Sequence, residues 1–124
     1  MVLEELIAKS WSKETSSDPN DWTEDNPARG QCAVTALIVQ DMYGGNILNM
    51  LVDFRGQTES HYMNLVDGKI VDLTGIQYEG ITLDYSKAAP KRKDFASTRE
   101  YILSYPQTQK RYELLKNTLS QNRK

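Results

Sequence analysis

The dipeptide Asp67-Gly68 does most to limit what this chain can fold into, because it sits between two strand-like segments, 60–66 and 69–73. A two-residue connection of this type joins antiparallel strands and wants positive φ at both positions. Val66 then faces Lys69, Met63 faces Asp72 and His61 faces Thr74. Side chains alternate along a strand. His61, Met63, Leu65, Ile70, Asp72 and Thr74 are therefore expected on one face. His61 and Asp72 become diagonal neighbours, roughly 7–8 Å apart at the backbone. A one-residue slip would move them to opposite faces.

His61 is the only histidine of the chain and Cys32 the only cysteine. Cys32 opens a segment, 32–43, in which Val34, Leu37 and Ile38 recur at helical spacing, with Cys32 and Met42 near the same stripe. Gly44-Gly45 is the expected stop. Unpaired N–H groups and the dipole at a helix start favour a thiolate, which is the nucleophilic form. Gly30, just before it, would let a substrate backbone come close. A carboxylate behind a histidine fixes its tautomer and stabilises the imidazolium. The expected division of labour is attack by Cys32, proton transfer by His61 and orientation of His61 by Asp72. Each residue also has a plain reading, as a buried core thiol, a half-exposed histidine and a solvated carboxylate. Their joint order on these elements favours the functional one.

A thiolate attacking a carbonyl needs donors aimed at the developing oxyanion. The Cys32 N–H is one. Gln31 or Asn26 supplies a second, although Gln31 equally suits a helix cap or solvent. Gln40 and Gln77 are placed to line the cleft, and both also fit surface amides. Asn64 falls on the strand face opposite His61. A zinc site is disfavoured, since there is no CxxC, no second histidine and no HExxH. No cofactor is expected.

A chain of 124 residues reads as a single domain with one core. Fifteen basic against 17 acidic residues leave a formal charge of −2, which argues against general nucleic-acid binding. No apolar run suggests a membrane span. The start, with Glu4 and Glu5, lacks the pattern of a signal peptide. With a lone cysteine, a reducing cytoplasmic setting is the expectation. Residues 1 to about 11 read as an amphipathic helix. The polar stretch 12–30, with Pro19 and Pro27, is a long loop, expected to be pinned to the body by Trp11 and Trp22 and to form a wall of the substrate cleft. Residues 47–54 read as a strand, 56–60 as a turn and 82–93 as irregular, with a basic cluster at Lys91-Arg92-Lys93. Ser97 or Thr98 caps a helix through Tyr105, and Pro106 opens another reaching about Asn122.

Trp11-Ser12-Lys13-Glu14-Thr15-Ser16, Trp22, Asn26-Pro27 and Gly30-Gln31-Cys32-Ala33-Val34-Thr35-Ala36-Leu37 resemble the YunG family of small bacterial proteins. So do Val39-Gln40-Asp41, Gly44-Gly45, His61-Tyr62 with Asn64, and Asp72-Leu73-Thr74 with Gln77. The order of Cys-helix, His-strand and Asp-strand is similar, more distantly, to papain-like, NlpC/P60 and transglutaminase-like hydrolases. That resemblance implies an α+β fold with a papain-like core, in which the Cys-bearing helix packs on a short antiparallel sheet with helices at both ends. It also implies a thiol-dependent hydrolase or acyl transferase acting on an amide-type bond of a peptide, protein or small amide, with Cys32, His61 and Asp72 carrying the chemistry. The alternative is a non-catalytic papain-like module that binds a peptide or protein partner, with Glu14, Thr15, Trp22 and Gln77 as contacts.

Overall fold

A computed structural model describes residues 2–123. It contains four helices, α1 (Leu3–Ser10), α2 (Cys32–Tyr43), α3 (Thr98–Leu103) and α4 (Pro106–Asn122), and three strands, β1 (Asn46–Phe54), β2 (Gln57–Val66) and β3 (Lys69–Val71). The strands form one antiparallel sheet in the order β1-β2-β3. The fold is α+β, a three-stranded sheet with flanking helices. The helix expected from residue 1 is seen from Leu3, and Met1 lies outside the described residues.

The second hairpin has the expected register, with Val66 opposite Lys69 and Asn64 opposite Val71. Asp67 accepts the turn at φ 51°. The first hairpin is tighter than its sequence suggests. The segment 56–60, expected as a turn, is mostly strand, because the turn consists of Arg55-Gly56 alone and Phe54 already pairs with Gln57. Arg55 takes φ 53°, a conformation that an arginine does not advertise.

The sheet is covered on both faces, so the apolar residues form two clusters rather than the one core expected. Val34, Leu37, Ile38 and Val39 of α2 pack with Ile7, Ile47, Ile102, Tyr112, Leu115 and Leu119. Tyr62 and Val66 of β2 lie against this cluster. On the same face, Asn64 is buried and donates to the Ala36 carbonyl at 2.9 Å, tying β2 to the body of α2. The opposite cluster joins Leu48, Met50, Val52, Phe54, Met63 and Tyr78. It is closed by the segment 78–89, whose Ala89 bridges to Asn49 of β1. No described helix is long and apolar enough to cross a membrane.

Candidate active site

α2 begins at Cys32 because Gln31, at φ −98° and ψ 0°, already passes its carbonyl to the Thr35 N–H. The first N–H groups of a helix have no partner within it. Cys32 is buried, and its Sγ lies 4.0 Å from the Ser60 carbonyl oxygen, one residue before His61.

His61 is completely buried. Its ring stands edge-on to Tyr78, 5.1 Å between centroids. Nε2 and Asp72 Oδ2 are 2.8 Å apart. Asp72 follows directly on β3, and the hairpin register brings it to this side of the sheet. Nδ1 has no hydrogen-bond partner among the described residues. With Nε2 committed to Asp72, Nδ1 is the nitrogen left for Cys32. Burial alone would lower the imidazole pKa and is the largest single influence. The hydrogen bond to Asp72, with the nearness of Cys32 and the charge of Asp72, outweighs it, and the value rises to about 9. Burial pushes the Asp72 carboxyl up, but His61, Tyr85 and the Thr74 N–H together hold it below its ordinary value.

Asp72 is held from every side. Oδ1 accepts from the Thr74 N–H at 3.3 Å, and Oδ2 accepts from the Tyr85 hydroxyl at 2.7 Å as well as facing His61. A Cβ on Gly75 would stand 2.7 Å from Oδ2 and 3.2 Å from the Tyr85 oxygen, so only glycine leaves this arrangement room. Sequence reasoning missed Tyr85 and Gly75. Tyr85 sits in an irregular segment where no periodicity singles it out.

A cavity of about 260 Å³ opens on Cys32, lined also by Ser17, Asp18, Arg29, Gly30, Glu59, Ser60, Gln77 and Tyr78. The 12–30 loop thus supplies one wall. Its anchor is Arg29, which is nearly fully buried and meets three carboxylates: Asp18 at 3.1 Å, Asp21 at 3.0 Å, and Glu59 across the sheet. Hydrogen bonds and charge from Glu59 and Asp18 outweigh burial and raise the guanidinium pKa further. Its sequence signal is a lone arginine beside Gly30 in a stretch rich in Asp and Glu.

The other expected site residues divide. Gln31 has no exposed surface. Its Oε1 accepts from Thr15 Oγ1 at 2.8 Å and its Nε2 donates to the Ser12 carbonyl at 2.9 Å. Its amide is spent on the loop and does not face the cleft, and Thr15 is buried beneath it. Asn26 donates to the main-chain carbonyl of Gln77 at 3.2 Å. Trp22 is half-buried and donates to the Pro27 carbonyl at 2.9 Å, so it clips the loop to itself rather than to the body, and it does not line the cavity. Trp11 does the pinning, through 2.9 Å to Thr35 Oγ1 and its place in the helical cluster. Glu14 is exposed, and Gln40 reaches Gly45 and Arg99 near the far end of α2. Gln77 is buried and does line the cavity. Gly30, at φ 75°, is required by its own loop and not by a substrate: a Cβ there would run into Ser16 Oγ and lie 2.8 Å from the Asp18 nitrogen. Among the described residues, no group of three His, Cys, Asp or Glu is placed to hold a metal ion.

The family model described as "YunG protein" matches residues 1–124. The chain is 37% identical over 97 residues to a Bacillus subtilis (strain 168) protein titled "Uncharacterized protein YunG", covering 77% of this chain and 76% of the relative. No solved structure matches.

Proposed function

The chain belongs to the YunG family, and we propose that it is a thiol-dependent hydrolase or acyl transferase with a papain-like core, acting on an amide-type bond through Cys32, His61 and Asp72. The observation that carries this reading is the 2.8 Å contact between His61 Nε2 and Asp72 Oδ2 in a fully buried ring whose remaining nitrogen is left for Cys32.

The chemistry follows from where the ring protons sit. Asp72 holds the Nε2 proton, so the proton that His61 exchanges is the one on Nδ1, and with the imidazole pKa at about 9 His61 rests as the imidazolium at neutral pH. With the thiol proton already on Nδ1, Sγ forms a bond to the substrate carbonyl carbon. The carbonyl π electrons move to oxygen, near the Cys32 N–H at the helix start. When the tetrahedral species collapses, Nδ1–H protonates the departing amine, leaving a thioester on Cys32. A second nucleophile, water or an amine, gives its proton to Nδ1 and releases the acyl group. Asp72 remains ionised throughout and steadies the imidazolium.

The test is acylation of Cys32 by p-nitrophenyl acetate, followed by release of p-nitrophenolate and by intact mass. Wild type should take up one acetyl group on Cys32 in a fast phase, while Cys32→Ser and His61→Ala should not. A Cys32 that reacts no faster than free cysteine, with or without His61, would leave the binding-module reading in its place.

A further inference from the structure

The Gln77 carboxamide is divided in two. Its Oε1 accepts from the Gly30 N–H at 3.1 Å and from Arg29 Nη1 at 3.3 Å. Both neighbours are donors, so rotating the amide would set NH₂ against N–H twice. The oxygen must point that way and the nitrogen away. Nε2 then has no partner among the described residues, although Gln77 is 1% exposed. Buried donors without acceptors are rare in folded proteins and ask for an explanation. Here the residue lines the cavity that opens on Cys32, and Gly30 is two residues before the thiol.

We propose that Gln77 Nε2 is a catalytic hydrogen-bond donor to the substrate carbonyl oxygen, completing with the Cys32 N–H a two-donor cradle for the oxyanion. The proposal rests on the acyl-chemistry reading above and sharpens its substrate class. The cradle suits a trigonal carbonyl that becomes tetrahedral (amide, ester or thioester) and gives nothing to an alkyl electrophile or a disulfide. Positioning is built in. The Gln77 N–H bonds the Thr74 carbonyl at 3.0 Å, and its own carbonyl is held by Asn26 at 3.2 Å. Asn26, expected to be a donor itself, acts through Gln77. The same short segment that begins with Asp72 behind His61 thus ends with Gln77 in the cavity that opens on the thiol.

Two probes separate this role from a structural one. Iodoacetamide alkylates Cys32 at a saturated carbon and develops no oxyanion, so its rate reports the reactive thiolate. p-Nitrophenyl acetate acylates it through a tetrahedral centre. The informative quantity is the ratio of acylation to alkylation rate in wild type, Gln77→Met and Gln77→Glu. Gln77→Glu keeps an acceptor for Gly30 and Arg29 while removing the donor and adding a negative charge, whose effect on the thiolate the alkylation rate reads, so it serves if the Met variant fails to fold. Each variant should lower the ratio by about 100-fold or more, the usual loss for one oxyanion donor. An unchanged ratio, or a parallel fall of both rates, would overturn the role of Gln77 while leaving the nucleophile in place. A wild-type thiol that alkylates quickly in a His61-dependent manner yet resists the ester would overturn the acyl reading and this proposal with it.

Discussion

The two walls of the Cys32 cavity are made by different physics. The loop wall, 12–31, is latched by polar groups: Thr15 and Ser12 on Gln31, Ser16 on the Arg29 carbonyl, and Arg29 among Asp18, Asp21 and Glu59. The hairpin wall is held by a backbone ladder and by apolar packing of Met63, Tyr78 and Phe54, with one ionisable pair, His61 and Asp72, sealed inside. Ladder geometry places a side chain from register alone. A polar latch needs every partner present, because each group removed strands another away from water. The loop wall should therefore be the more fragile to substitution, and the hairpin wall the more responsive to pH.

Arg29→Met tests the first half of that contrast and should have the largest effect. It leaves Glu59 and two aspartates facing one another without their shared cation. These carboxylates reach water and Asp21 keeps Arg55, so the loss should stay below the roughly 3–5 kcal/mol typical of breaking a fully buried pair and above the roughly 1 kcal/mol of an exposed one. Urea unfolding should show a loss in that range. A loss below about 1 kcal/mol, the usual worth of an exposed ion pair, would mean that the latch is ornamental.

The pH response tests the second half. His61 sits at about 9 in the folded protein against an ordinary 6.5, so the folded state binds the proton more tightly. The stabilisation is fully present below pH 6.5 and is lost as pH rises through about 9. The difference amounts to at most about 3 kcal/mol at 1.36 kcal/mol per pH unit. Unfolding free energy should fall over this window in wild type and stay level in His61→Gln. Arg29 remains charged across the same range, so the loop latch should add no slope.

Tyr85→Phe should give the smallest effect. It removes one hydrogen bond to Asp72 Oδ2 and should cost about 1 kcal/mol. It should also concentrate the carboxylate's charge on His61 and move the imidazole pKa further upward, which NMR titration of the ring reads directly. A stability loss without that movement would make Tyr85 a structural strut only.

Local signals made much of this legible. The bounds of α2, the helix opened by Pro106 and the Asp67-Gly68 register each depend on residues within one turn or one strand pair, so Asp72 could be placed beside His61 in advance. Gln31 and Trp22 resisted for the opposite reason. Whether a glutamine next to a cysteine faces the cleft depends on Thr15 and Ser12, 16 and 19 residues away. Arg55 at φ 53° hid the first turn. Tyr85 reaches Asp72 only because the 78–89 segment folds back on the sheet, a closure that no periodic pattern marks.

The buried ring of His61 has a consequence for the order of events. Its Nε2 is occupied by Asp72 and none of its surface touches bulk water, so on the acyl reading protons would pass to and from Nδ1 by way of Cys32 alone. Whatever receives that proton must stand beside Cys32, and the group that supplies the next one must wait until it has left. On the acyl reading, first product and second nucleophile take turns, and turnover is alternating by architecture.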